Sequence, residues 1–245
     1  MKYKFIFLFI LSVCFFTSCK KENRCDCIKR TGDIVTELRA VKTFDKIFVE
    51  DNINVFITQD TFEEVKVEAG EHIVPLIETE VIDGTIYLRN KNRCNWTRTY
   101  KAPINVHIRI PNMHYITSDG TGDVESVNTI TSDTFEIETK NSGSIDLTVN
   151  NFKLATHMHG SGDLTLHGTT ESCYSSIGGT AYLYCKDLEA GYIYLHTFTI
   201  GNCYVNTNGM LDCKIDSKGD VHCYGHPVIV NKVLLVQAKY LLNKR

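Results

Sequence analysis

Gly120-Thr121-Gly122-Asp123-Val124 and Gly160-Ser161-Gly162-Asp163-Leu164 are near copies of one another. Weaker copies are NSGSI (141–145), GTAYL (179–183), GNCYV (201–205) and SKGDV (217–221). Aligned on the third residue, they place Gly122, Gly143, Gly162, Ala181, Cys203 and Gly219 in one column, with steps of 21, 19, 19, 22 and 16 residues. Two residues further on stand Val124, Ile145, Leu164, Leu183, Val205 and Val221, all apolar. Eight residues before it, from the second copy on, stand Phe135, Leu154, Cys173, Leu195 and Leu211. The apolar offsets are even and the odd offsets carry mostly Asp, Glu, Lys, His and Tyr, the alternation of a strand with one buried face. A unit of about 20 residues cannot bury its apolar face alone, but stacked units bury a continuous core. The pattern predicts an all-β, single-domain parallel β-helix with one coil per repeat. Gly at the turn predicts either positive φ or a backbone approach too close for a Cβ.

The amino-terminal half is also strand-like, with KIFVE (46–50), NVFIT (54–58), VKVE (65–68), TIYLR (85–89) and VHIRI (106–110). One short helix is expected within 71–79, limited by Pro75. No Pro/Gly/Ser-rich linker divides the halves, so one continuous domain is read over 38–232. Residues 233–245 then form either a final strand or a helix that caps the open end, because a last coil exposes unpaired edges.

The 245 residues are enough for a substantial core, and 43% hydrophobic with 22% charged composition excludes a disordered chain. A net charge of −3 gives no basic field for nucleic acid, so no nucleic-acid partner is expected. Residues 1–18 read as a secretion signal: Lys2 and Lys4 precede a twelve-residue apolar run, Phe5 to Phe16. That run is short of the roughly 20 residues a membrane span requires. Ser18-Cys19 after the run resembles the bacterial lipoprotein processing site, although that pattern prefers Leu where Phe16 stands. The resemblance implies cleavage before Cys19, its acylation, and attachment to a membrane through several acyl chains. Residues 19–37 would then be a tether, and the location a bacterial outer membrane, on its periplasmic face or at the cell surface.

The order of segments VKTFDKIFV (41–49), INVFITQ (53–59), VKV (65–67), IDGTIYL (82–88), VHIRIP (106–111), the Gly-x-Gly-Asp repeats and YGHP (224–227) is similar to the bacterial "putative auto-transporter adhesin, head GIN domain" family. The resemblance implies a right-handed β-helix and a lipoprotein or secreted address. It brings no catalytic residues, so no enzyme and no cofactor are expected. Ala181 and Cys203 depart from the usual Gly of the turn.

Asp123, Asp163 and Asp220 follow the turn residue. Gly-x-Gly-Asp is similar to calcium-binding nonapeptide repeats, but a period near 20 cannot clamp one ion between successive turns. Turn carboxylates bonded to local backbone N–H groups are the better reading. His157 with His159, and His222 with His226, lack the three or four converging ligands of a metal site, so no metal is expected. Cys25 and Cys27 lie in the tether and Cys94 in a loop. Cys173, Cys185, Cys203, Cys213 and Cys223 read as buried thiols. Cys185 and Cys223 share a column two coils apart, too far for a disulfide, which leaves open one pair across the core, Cys173 with Cys185.

The suggestive surface feature is aromatic. Tyr182 and Tyr204 share an outward column, Tyr184 lies two residues along, and Tyr174 and Tyr194 point outward in the same two coils. Such a row offers a surface to a glycan or to an envelope protein, although Tyr is also favoured in strands for its own sake. The expected function is a non-enzymatic, adhesin-like binding module on a lipid anchor. A periplasmic structural or accessory protein working through protein partners is the alternative, and a carbohydrate-active enzyme ranks below both, because its carboxylates would have to pair.

Overall fold

The computed structural model describes residues 30–92, 102–234 and 239–243. Four parallel strands are long: β11 (Ile145–Met158), β12 (Leu164–Ile177), β13 (Leu183–Thr197) and β14 (Cys203–Ile215). Each bends wherever two successive residues both face solvent, as at Phe152 and Lys153 in β11 and at Lys186 and Asp187 in β13. Each strand therefore covers more than one side of its coil, and the chain returns through the Gly turn to start the next. The result is a β-solenoid.

Short strands continue both sides. Along one side run β3 (Asn54–Gln59), β9 (Val124–Ser126), the first halves of the long strands, β15 (Val221–Tyr224) and β17 (Tyr240–Asn243), all parallel. Along the other run β2 (Lys46–Asp51), β8 (Tyr115–Gly120), β10 (Ile130–Thr139), the second halves, and β16 (Ile229–Leu234). The amino-terminal coils are not stacked in chain order. β6 (Thr85–Asn90) pairs β2 on the edge away from β8, and β7 (Asn105–Ile110) pairs β3 on the edge away from β9. The coil made by β2 and β3 therefore lies between two coils that follow it in sequence. Beyond it the parallel rule lapses. β4 (Glu64–Gly70) is antiparallel to β7, β1 (Ile34–Arg39) to β4, and β5 (Ile77–Ile82) to β6.

Like residues stack inside. Ile145, Leu164, Leu183, Cys203 and Val221 form one column, and Phe135, Leu154, Cys173, Ile193 and Leu211 another, all buried. Some buried hydroxyls pair within the stack, as where Thr156 Oγ1 donates to Ser175 Oγ at 2.8 Å, while those of Ser118 and Thr139 have no partner.

The register corrects the repeat alignment in its fifth copy. Leu183 pairs with Cys203, and Cys203 with Val221. The turn residue of that coil is therefore Gly201, and Cys203 and Leu195 each sit two residues from the places the alignment gives them. A two-residue slip keeps every side chain on its own face, so the division into inward and outward positions survives. Gly201 also removes the departure read at Cys203. The turn column is governed by close approach: an added Cβ at Gly122, Gly143, Gly162, Gly201 or Gly219 would lie 2.0–2.2 Å from a backbone oxygen of the neighbouring coil. None of these five has positive φ. Ala181 enters its turn differently, through Gly178 and Gly179, the latter at φ 76°.

The helix expected within 71–79 is a single 3-10 turn, Val74–Leu76. Pro75 suits its first positions, and Ile77 already begins β5. Residues 34–37, read as tether, belong to β1, which pairs along one edge with β4. The carboxy-terminal stretch is strand where it is described, in β16 and β17, so the capping helix is not seen there. The signal segment, Cys19, Cys25, Cys27 and Cys94 lie outside the described residues.

Candidate functional site: the outward tyrosine rows

The register splits the five tyrosines into two groups. Tyr184 is opposite Tyr204, and Tyr204 opposite His222, all on the first side of the solenoid. Their rings follow the column: Tyr184 and Tyr204 have centroids 5.4 Å apart at 6°, and Tyr204 and His222 4.8 Å apart at 18°. Tyr182 extends the row from its own coil, 5.9 Å from Tyr184 at 7°. Tyr182 thus touches Tyr204 only through Tyr184, and does not share its column as the alignment has it. Atoms in face contact lie about 3.5–4 Å apart. Parallel rings with centroids 5.4–5.9 Å apart are therefore slid past one another, and each face is only partly covered.

Tyr174 and Tyr194 pair on the second side, with ring centroids 6.4 Å apart. Tyr192 joins them at 5.9 Å, edge to face with Tyr174. Tyr192 and His222 were not among the expected contributors. Tyr192 was hidden because the corner at Gly191 breaks the alternation, and His222 because the fifth copy was misaligned. Tyr174, Tyr182, Tyr184 and Tyr194 are exposed. Partial desolvation, then the Asp163 carboxylate and the neighbouring phenols, push Tyr184 above the usual phenol range. Desolvation followed by Asp212 does the same for Tyr192. Both phenols therefore stay neutral through the physiological range and can donate as well as accept hydrogen bonds.

Below the first row lies a ladder that fixes its spacing. Asp123 Oδ1 accepts from the backbone N–H of Ser144 at 2.9 Å, and Asp163 Oδ1 from that of Tyr182 at 2.9 Å. Asp220 Oδ1 accepts from Lys239 N–H at 2.8 Å, and Asn202 Oδ1 from Asp220 N–H at 3.0 Å. The turn carboxylates bond backbone N–H groups as expected, but those of the next coil instead of their own. Each such bond is worth about 1.5–3 kcal/mol for a charged acceptor, so these carboxylates are already engaged in stacking the coils.

His157 lies 3.7 Å from Glu136, and His159 stands beyond the end of β11. All five described cysteines are buried. Burial pushes the Cys173 thiol up to about 11 and the Cys203 thiol up to about 12. Cys185 is raised by burial as well. Such thiols are poor nucleophiles. Among the described residues no cluster of three or more His, Cys, Asp or Glu converges on a point where a metal ion could sit, and no helix is long and apolar enough to cross a membrane.

A family model described as "putative auto-transporter adhesin, head GIN domain" matches residues 43–227. The chain belongs to this family. Solved structures share the solenoid fold. A putative adhesin from Bacteroides fragilis NCTC 9343 superposes with a TM-score of 0.81 at 24% identity, over 86% of this chain and 98% of its own. A putative adhesin from Parabacteroides distasonis ATCC 8503 gives 0.68 at 17% identity, over 88% and 99%. A protein of the same organism named as a putative lipid binding protein gives 0.66 at 18%, over 87% and 100%. At these identities the likeness is one of fold. No curated protein matches this chain.

Proposed function

We propose that this head GIN protein is a lipid-anchored envelope protein that works as an adhesin-like binding module and carries out no catalysis. The observation that carries the reading is the near-parallel row of exposed Tyr182 and Tyr184 with half-buried Tyr204, held at fixed spacing by the stacked coils beneath it. Amphipathic rings fixed on a rigid sheet contribute contact area with little loss of side-chain freedom on binding. Membership of a family described as adhesins supports binding over chemistry. The apolar run ending at Ser18-Cys19 supports the anchor, with Cys19 as the acylated residue. Tyr174 and Tyr194 provide a second contact patch on another side.

The same rows suit a protein partner, because Tyr is enriched at the centres of protein interfaces. The test uses beads coated with the full chain, incubated with glycan-bearing mucin or with solubilised envelope proteins. Tyr184→Ala/Tyr204→Ala is expected to weaken capture about tenfold, from the loss of two ring contacts. Unchanged capture by this variant would remove the row from the binding surface. Retention of an envelope protein with no capture of mucin would favour the periplasmic accessory role.

A further inference from the structure

Where strands β10 to β14 turn their second corner, the outer wall is indented into a groove of about 640 Å3. A recess of about 260 Å3 continues it through Glu189 and Asn208 to Gly225 and His226. Five coil steps separate Thr131 from that end, roughly 24 Å along the solenoid axis at the spacing of paired strands. Each coil contributes at least one polar group. Thr131, Asn150, Thr169 and Glu189 are in register, and Asn208 Nδ2 donates to Glu189 Oε1 at 3.3 Å.

Two observations mark the groove as more than a fold in the surface. Asn151 lines it and is only 6% exposed. Its Nδ2 donates to Ser132 O at 3.1 Å and to Ser132 Oγ at 2.8 Å, while its Oδ1 has no partner. A buried carbonyl left without a donor is costly, and this one lies in the floor of the groove, shielded from solvent. Phe152, beside it, is 68% exposed. A large apolar ring held in solvent at the edge of a polar trough is a platform for the apolar face of a sugar.

The lining also sets the class of ligand. Asp133, Glu171 and Glu189 are its charged residues, and no Lys or Arg lines it. A polyanionic chain would be repelled. An extended peptide would seek an unpaired strand edge, and β11, β12 and β13 are paired on both sides. We propose that this corner groove binds a neutral, unbranched glycan chain lying along the solenoid axis. Asn150, Thr169 and Asn208 bond its hydroxyls, and Phe152 packs on a sugar ring. This rests on the reading of the protein as a binding module and gives that module a further contact site, distinct from the tyrosine rows.

The test passes the detergent-solubilised full chain over arrayed neutral hexasaccharides of glucose, mannose, xylose and N-acetylglucosamine. Polygalacturonate and a peptide array are the comparison probes. Wild type is expected to be retained on at least one neutral hexasaccharide. Asn150→Ala/Phe152→Ala, whose side chains are exposed, is expected to fold normally and to bind about tenfold more weakly. Retention on polygalacturonate or peptides alone, or on nothing, overturns the groove proposal. So does neutral-glycan binding that the groove variant keeps and Tyr184→Ala/Tyr204→Ala loses. If the groove fails while the coated beads still capture their partner, the binding-module reading stands without it. If both fail, both fall.

Discussion

Gly162→Val should break the solenoid at its middle. A Cβ on Gly162 would lie 2.0 Å from Gly143 O and 2.7 Å from its carbonyl carbon, and neither atom can rotate away. Relief requires adjacent coils to part by about an ångström, against a strand spacing set by hydrogen bonds. The bonds at risk include Ser161 N–H to Asn141 O at 2.9 Å and Gly162 N–H to the same oxygen at 3.1 Å. The expected loss is on the order of 3 kcal/mol or more. Stability in stacked repeats passes from neighbour to neighbour, so damage at one interface uncouples the coils on either side. Urea denaturation followed by circular dichroism reads the effect. Ser161→Val, one residue away and exposed, should stay within about 0.5 kcal/mol of wild type. A Gly162→Val protein as stable as the Ser161→Val protein would mean that the coils do not meet at this column.

Phe135→Ala tests the inner columns. Phe135 is 2% exposed and stands in register with Leu154, followed by Cys173, Ile193 and Leu211. The coils above and below are tied to it by the ladder, so the space left cannot readily collapse. The expected cost is about 3–5 kcal/mol, measured by the same denaturation. A loss below about 1 kcal/mol would show that the column tolerates a void, contrary to a close-packed core.

The solenoid was legible because two periods coincide in this chain. Strand alternation marks Val124, Ile145, Leu164 and Leu183 as inward, and the Gly turns recur near every 20 residues. The one misread coil, with Cys203 in place of Gly201, kept its faces because the slip was even. It still displaced Tyr204 relative to Tyr182 and hid His222. The position of β2 and β3 between coils that follow them in sequence was not legible. Parallel pairing at a separation of 39 residues, as between Lys46 and Thr85, leaves no local mark. The partners of Asp123 and Asp163 were missed for a related reason: a carboxylate one step from a Gly turn looks local, and only the stack puts the next coil's N–H in reach. The groove escaped because corners are where the alternation breaks, so Phe152 and the polar column of Ser132, Asn151 and Thr170 stand outside the apolar columns that the period reveals.

An adhesin-like role, as proposed, requires a binding surface displayed outside the cell, and protease shaving of intact cells tests that requirement most directly. Wild-type protein should be released or cut while a periplasmic marker stays protected, and Cys19→Ala should leave no anchored pool to shave. Protein that survives until the envelope is opened would contradict the account, and would move the tyrosine rows and the groove to a partner within the periplasm.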